Sequence, residues 1–116
     1  MRTRLFLAAL SLAAACGGES YGSTAPDTTT GPTVTTSVTI SGIAFGPSAI
    51  RVSPGAAVTW TNNDNINHNV TFSNTAIGAV PNFSTGSSTL TMPTTSGTYA
   101  YHCTIHASMT GTVQVQ

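Results

Sequence analysis

The chain carries a group of four residues whose side chains could bind one metal ion. Cys103, His106 and Met109 follow one another at intervals of three residues, and His68 lies much earlier in the chain. A thiolate, an imidazole and a thioether at this spacing can face one point only if the segment forms a tight loop. A second imidazole from a separate strand would complete the group. The spacing therefore predicts a metal site that joins two distant parts of the chain.

The chemistry of these side chains favours copper. Two histidines and a cysteine in a trigonal plane, with a methionine at a longer axial distance, form the ligand set of blue-copper centres. Soft sulfur favours Cu(I), and imidazole suits both oxidation states. Zinc more often takes a carboxylate, a further cysteine or a water where this group has Met109. His102 lies between Tyr101 and Cys103, so strand alternation should point it away from the site.

Each candidate ligand also has an ordinary structural interpretation. Cys103 could be an inert buried thiol, or it could form a disulfide with Cys16, the other cysteine of the chain. His68 alone could be a turn histidine, and His106 alone could be an exposed loop residue. Met109 alone could fill a gap in the core.

A hydrolase built on Cys103 and His68 is the remaining chemical alternative. Asp64 lies close to His68 in the sequence, but no serine nucleophile with a recognisable elbow accompanies them. The sequence also shows no oxyanion apparatus and no specificity element for such an enzyme.

The elements that must position these residues are predicted to be β-strands. From Thr36 onwards, apolar residues alternate with Thr, Ser or Asn, and clusters of Gly, Pro and Asn separate the runs. About seven short strands are expected, with the inward-facing pairs Val38/Ile40, Ile50/Val52, Val58/Trp60, Val70/Phe72, Leu90/Met92, Tyr99/Tyr101 and Val113/Val115. The stretch from Ser73 to Gly86 is expected to be one long irregular connection. This pattern is typical of an all-β sandwich or barrel.

Residues 1–15 are typical of a secretory signal peptide, because Arg2 and Arg4 precede an apolar run and small residues lead up to Cys16. The apolar run is shorter than the roughly 20 residues that span a bilayer. The segment before Cys16 also resembles a bacterial lipobox, although Ala13 stands where that motif usually has Leu. We expect an exported bacterial protein that is lipidated at Cys16 and lies in the periplasm or on the outer face of a membrane. Ordinary signal cleavage at the same place would instead leave a free thiol.

The remaining chain divides into a linker and one domain. Residues 16–35 contain almost nothing apolar and are expected to form a flexible tether, which leaves residues 36–116 for the folded domain. Charged residues make up 5% of the chain, against about a quarter in ordinary domains. Nucleic acid is excluded as a partner because phosphate binding needs clustered cations.

The domain resembles the cupredoxins, the blue-copper electron-transfer proteins. The resemblance covers Thr36 to Gln116 and rests on Phe45-x-Pro47, Ile50, Val52, Gly55, Val58 to Asp64, His68-Asn69-Val70, and Tyr101 to His106 with Met109. The two residues between His106 and Met109 make a ligand loop more similar to that of the amicyanins than to those of the plastocyanins or pseudoazurins. The domain is somewhat shorter than typical members.

The resemblance implies a Greek-key β-sandwich with one copper ion. It implies His68, Cys103 and His106 as equatorial ligands and Met109 as the axial ligand. It also suggests that Asn69 steadies the ligand loop by hydrogen bonds.

The same resemblance implies a one-electron carrier, not an enzyme, with redox proteins as donors and acceptors and His106, next to the surface, as the path of the electron. We expect a monomer that contacts the membrane only through its N-terminal lipid. Since Arg51 is the only cation of the domain, docking should depend on an apolar rim near His106. The candidates for this rim are Ile66, Ile77, Val80, Pro81, Ile105 and Ala107.

Two further functions remain open. The same ligands could serve a copper storage or delivery protein of the cell envelope that has no redox partner. A metal-free interaction or adhesion domain would also tolerate the Thr-rich, nearly uncharged surface.

Overall fold

The computed structural model describes residues 31–116, and every regular element in this range is a β-strand. The strands are Thr33–Val34 (β1), Ser37–Ile40 (β2), Phe45–Gly46 (β3), Ala49–Val52 (β4), Ala57–Asn62 (β5), His68–Phe72 (β6), Ala79–Phe83 (β7), Gly86–Thr91 (β8), Gly97–Cys103 (β9) and His106–Val115 (β10). Within the described range no helix is long and apolar enough to cross a membrane. The expected signal peptide, Cys16 and most of the expected linker lie outside it.

The strands form two sheets that enclose one core. The first sheet has six strands in the order β1-β4-β10-β9-β6-β7, and the second has four in the order β3-β2-β5-β8. β4 is parallel to both β1 and β10, and β2 is parallel to β5, whereas the other neighbours are antiparallel. The all-β sandwich expected from the sequence is therefore confirmed.

Alternation along the strands separates the core from the surface, as β5 shows. Val58 and Trp60 are fully buried, while Thr59 and Thr61 between and after them are half-buried on the opposite face. The hydroxyl group of Thr59 forms a hydrogen bond of 2.9 Å with that of Thr89 on β8. The polar face thus supports strand pairing and the apolar face supplies the core.

Tyr101 lies at the centre of an aromatic cluster in the core, next to the end of β9 that carries Cys103. Its ring centroid is 4.7 Å from that of Phe45, 5.5 Å from that of Trp60 and 5.1 Å from that of Phe72. Burial raises the pKa of Tyr101 to about 12, so the phenol stays neutral under ordinary conditions. This packing fixes the end of β9, two residues before Cys103.

Three strands go beyond the seven expected from the sequence: β1, β3 and β7. β7 lies inside the stretch from Ser73 to Gly86, so the prediction of an irregular connection there is wrong for residues 79–83. Pro81 and Asn82 interrupt the alternation of β7, and an edge strand tolerates the proline because it needs fewer ladder donors. Strand pairing also begins at Thr33, ahead of the Thr36 start expected from the sequence.

Gly111 permits the close contact between β10 and the aromatic cluster. Gly111 pairs with Tyr101 across the β9/β10 ladder, and a Cβ atom at Gly111 would overlap the Tyr101 ring. A Cβ atom at Gly97, in the same ladder, would lie 3.7 Å from the ring of Tyr99, an ordinary contact. A side chain therefore fits at Gly97 but not at Gly111.

We expect Gly111→Ala to lower the free energy of unfolding by about 1–3 kcal/mol, because the methyl group overpacks against the Tyr101 ring, which is buried among three other aromatic rings. Chemical denaturation of the metal-free protein measures this change, and Gly97→Ala is the matched control. Equal stability of the two variants would show that the contact is not tight.

Candidate metal centre

The sheet topology brings three of the candidate ligands to one edge. His68 is the first residue of β6, Cys103 is the last residue of β9, and His106 is the first residue of β10. β9 lies between β6 and β10, antiparallel to both, so these three positions meet at the same end of the sheet. A two-residue turn joins Cys103 to His106.

Met109 reaches the interior through an irregularity in β10. His106 pairs with Cys103 and Thr110 pairs with His102, so the residues between His106 and Thr110 form a bulge in the ladder. Bulges bend a strand and redirect its side chains. Met109 is 1% exposed and belongs to the buried core.

The distances between donor atoms suit a single metal ion. Cys103 Sγ is 4.0 Å from His68 Nδ1 and 3.6 Å from His106 Nδ1, and the three donor atoms lie within 4.8 Å of one another. Imidazole and thiolate bonds of about 2.0–2.3 Å to a first-row metal place neighbouring donors roughly 3.5–4 Å apart. His68 and Cys103 are 0% exposed, and His106 is half-buried.

The tautomer of His68 follows from its other neighbour. His68 Nε2 lies 2.9 Å from Asp64 Oδ2. An ionised carboxylate only accepts hydrogen bonds, so Nε2 must carry the proton and donate it. Neutral His68 then keeps a lone pair on Nδ1, the atom that faces Cys103, and this nitrogen is free to bind a metal.

Besides binding His68, the Asp64 carboxylate accepts hydrogen bonds from two backbone N–H groups. Its Oδ1 accepts a hydrogen bond of 2.7 Å from the Gly42 N–H, and its Oδ2 accepts one of 2.8 Å from the Ile43 N–H. These bonds, first that from Ile43, hold the pKa of the Asp64 carboxyl below its ordinary value, against the opposing effect of desolvation. The carboxylate is therefore anionic beside the site.

Asn69 connects β6 to the ligand turn. Its backbone N–H lies 3.5 Å from Cys103 Sγ and donates to it. Its side-chain Oδ1 accepts from the Thr104 N–H at 3.0 Å, and its Nδ2 donates to Thr104 Oγ1 at 2.7 Å and to Asn82 Oδ1 at 2.9 Å. The Thr71 hydroxyl donates to Asn69 Oδ1 at 3.1 Å. The residue after Cys103 is thus fixed to the strand that carries His68.

Comparison with known proteins agrees with this arrangement. The family model of copper-binding proteins described as the plastocyanin/azurin family matches residues 32–116. The chain belongs to this family. A plastocyanin from Scenedesmus fuscus is 33% identical over 86 residues, which make up 64% of this chain and 88% of that protein. A chloroplastic plastocyanin from Tetradesmus obliquus is 34% identical over 86 residues, 64% of this chain and 59% of that protein.

Two solved structures of amicyanin variants are also similar to this member of the plastocyanin/azurin family. One is a reduced Cu(I) form at pH 4, with a TM-score of 0.63 and 33% identity over 69% of this chain and 80% of that chain. Another Cu(I) form has a TM-score of 0.60 and 31% identity with the same coverage. The expected cupredoxin fold is confirmed, and the cofactor of the family, copper, suits the donors that the structure brings together.

The surface around His106 differs in part from the expected rim. Ile66 and Ile105 are 43% and 47% exposed, and Ala107 is exposed as well. Val80 is buried in the core, and Ile77 lies near Met92, away from the ligand edge, so neither belongs to the rim. The rim is smaller than expected because β7 turns the apolar side chain of Val80 inward.

The sequence did not reveal the roles of Asp64 and Asn62. Asn62 Nδ2 donates to Ile66 O at 2.9 Å and to Phe83 O at 2.7 Å, and its Oδ1 accepts from the Asp64 N–H at 2.9 Å. Asp64 is the only acidic residue of residues 31–116 and precedes a ligand candidate by four residues, and this spacing was a sequence signal for a contact with His68.

His102 lines a groove on the outer face of the sheet, as the alternation of β9 predicts.

We expect Asn69→Ala to lower the free energy of unfolding of the metal-free protein by about 1–3 kcal/mol, because it removes the four hydrogen bonds of a buried side-chain amide. Thermal or chemical denaturation measures the loss. Thr71→Val, which removes a single bond to the same amide, is the control and should cost less. Equal effects of the two variants would contradict a central role for Asn69.

Proposed function

We propose that this protein carries one electron at a time between redox proteins of the bacterial cell envelope, and that His68, Cys103, His106 and Met109 hold its copper ion. The observation that carries the proposal is the convergence of two imidazoles and a buried thiol at one edge of a copper-protein fold. Bound copper supplies a reversible one-electron change between Cu(II) and Cu(I). No bond of a substrate needs to form or break.

The protein contributes fixed ligand positions. Cys103 and His68 lie at the ends of paired strands, and Asn69 ties the ligand turn to β6. Hydrogen bonds around a metal site orient its ligands and tune its properties. A site that moves little between two oxidation states exchanges electrons rapidly, which is the property a carrier needs.

Burial favours a carrier over a copper storage or delivery protein. His68 and Cys103 are 0% exposed and Met109 is 1% exposed, so an acceptor of copper could reach only His106. Electrons can pass through the protein that surrounds a buried ion, whereas exchange of the copper ion requires its ligands to move apart. The same burial argues against a hydrolase, because a carbonyl group could not approach Cys103.

His106 is the proposed path of the electron. It is half-buried at the edge where Ile66, Ile105 and Ala107 are exposed. Arg51 is far from this rim, since it pairs with Gln114 near the opposite end of β10. We therefore propose that partners dock on an uncharged apolar rim, without strong electrostatic steering.

Location and attachment are proposed from the N-terminal sequence. Residues 1–15 support export, Cys16 supports a lipid anchor, and the segment between Cys16 and the first strand at Thr33 supports a flexible tether to the domain. Such a tether would let a monomeric domain reach donors and acceptors near the membrane while it stays attached.

We expect the purified protein to give an intense blue absorption band on addition of Cu(II), because thiolate-to-copper charge transfer needs the Cys103 ligand. Cys103→Ser should abolish the band, whereas His102→Ala, on the outer face, should keep it. Visible absorption and electron paramagnetic resonance check both results. A folded protein that binds no copper, or binds it without this band, would overturn the proposal.

We expect electron self-exchange between the two oxidation states to change by less than about threefold between low and high salt, because the rim carries no formal charge. Nuclear magnetic resonance line broadening in mixtures of the two forms measures the rate. Ile105→Lys should slow exchange at low salt and make it strongly salt-dependent. Val34→Lys is the matched control, since Val34 is 71% exposed but lies on β1, next to Arg51, away from the rim. Equal behaviour of the two variants would contradict docking at this rim.

A further inference from the structure

Asp64 places a negative charge near the edge of the sheet that carries the proposed ligands. Asp64 and Arg51 are the only Asp, Glu, Lys or Arg residues among residues 31–116. Arg51 pairs with Val34 and Gln114 at the other end of the six-stranded sheet. The formal negative charge near the ligand edge is therefore that of Asp64.

This charge is directed at a proposed ligand. His68 is 0% exposed and Asp64 is 14% exposed, and the 2.9 Å bond between Nε2 and Oδ2 is largely shielded from water. A carboxylate on the far nitrogen of a metal-bound histidine fixes the orientation of the ring and makes it a more basic ligand. Shielding from water and salt makes the interaction stronger than that of a surface pair.

The carboxylate is itself held by a strained turn. Gly42 and Ile43 have φ values of 62° and 57°, and both of their N–H groups point at Asp64. A positive φ is unfavourable for the β-branched Ile43, and such strain persists only where the surroundings impose it. Asn62 fixes the backbone of Asp64 from the other side. The turn between β2 and β3 thus holds the carboxylate in place for His68.

We propose that Asp64 is a positioning residue that holds His68 in one tautomer and lowers the reduction potential of the copper centre. This inference rests on the proposed function. The oxidised centre carries one more positive charge than the reduced centre, so a nearby anion stabilises the oxidised form more. Removing the anion should raise the potential.

The test is a comparison of reduction potentials by protein-film voltammetry or redox titration of the copper-loaded full chain. Asp64→Asn keeps the shape of the side chain and removes its charge. We expect it to weaken Cu(II) binding relative to Cu(I) binding by about tenfold, which raises the potential of a one-electron couple by about 59 mV. The blue band should remain, because the four ligands are unchanged. Asp27→Asn, which removes a charge from the expected tether, is the matched control and should leave the potential unchanged.

Asp64→Asn also changes the hydrogen bonds that Asp64 accepts from Gly42 and Ile43, so a control must separate loosening of this turn from loss of the charge. Ile43→Gly relieves the positive φ, so the double variant Ile43→Gly/Asp64→Asn should keep the turn closed without the carboxylate. We expect the same rise in potential in the double variant and the wild-type potential in Ile43→Gly alone. A rise in Ile43→Gly alone would assign the effect to the turn and overturn the inference.

The two proposals fail in different ways. A wild-type protein without a blue copper band would overturn the proposed function. A blue wild-type protein whose potential is unchanged in Asp64→Asn would leave the carrier function standing and overturn the role of Asp64.

Discussion

The hydrogen bonds between the Asn69 side chain and Thr104 are the constraint on which the metal centre depends. His68 and Cys103 come from strands that are far apart in the sequence, and their separation is set where β6 meets β9. Asn69 follows His68 and Thr104 follows Cys103, so the two bonds between Asn69 and Thr104 fix the residues adjacent to the two ligand positions. The sandwich supplies the strands, but these bonds set the spacing of the donors.

Burial of the thiol requires compensation that the same residues provide. A thiolate in an apolar interior is costly unless donors or cations face it. The Asn69 backbone N–H faces Cys103 Sγ at 3.5 Å, and two imidazoles lie beside it. The aromatic cluster around Tyr101 fills the core next to the end of β9, and Cys103 itself is 0% exposed. The core therefore does two things at once: it stabilises the sandwich, and it keeps Cys103, a proposed copper ligand, away from water.

Much of this could be predicted from sequence because the relevant signals are local. Alternation predicts strands wherever one face is apolar, and the intervals between Cys103, His106 and Met109 suggest a shared site. β7 was not predicted because Pro81 and Asn82 interrupt the alternation of apolar and polar residues along it. As an edge strand it pairs on one side only, and such pairing does not require a regular alternation. Asp64 escaped because its role depends on the turn at Gly42 and Ile43, more than twenty residues away, and only the three-dimensional fold brings them together.

The two histidines have different environments, and these environments suit them to different roles in the proposed centre. His68 is fully buried and donates to an anion held by the backbone, so its surroundings are fixed and suited to setting the potential. His106 is half-buried beside exposed Ile105, so it is suited to contact with a partner. Among residues 31–116, Asp64 is the only acidic residue, and its carboxylate faces His68, so the outer side formed by these residues carries no formal charge. In the proposed carrier, a partner can then bind and leave the rim without perturbing the electrostatics that govern the potential.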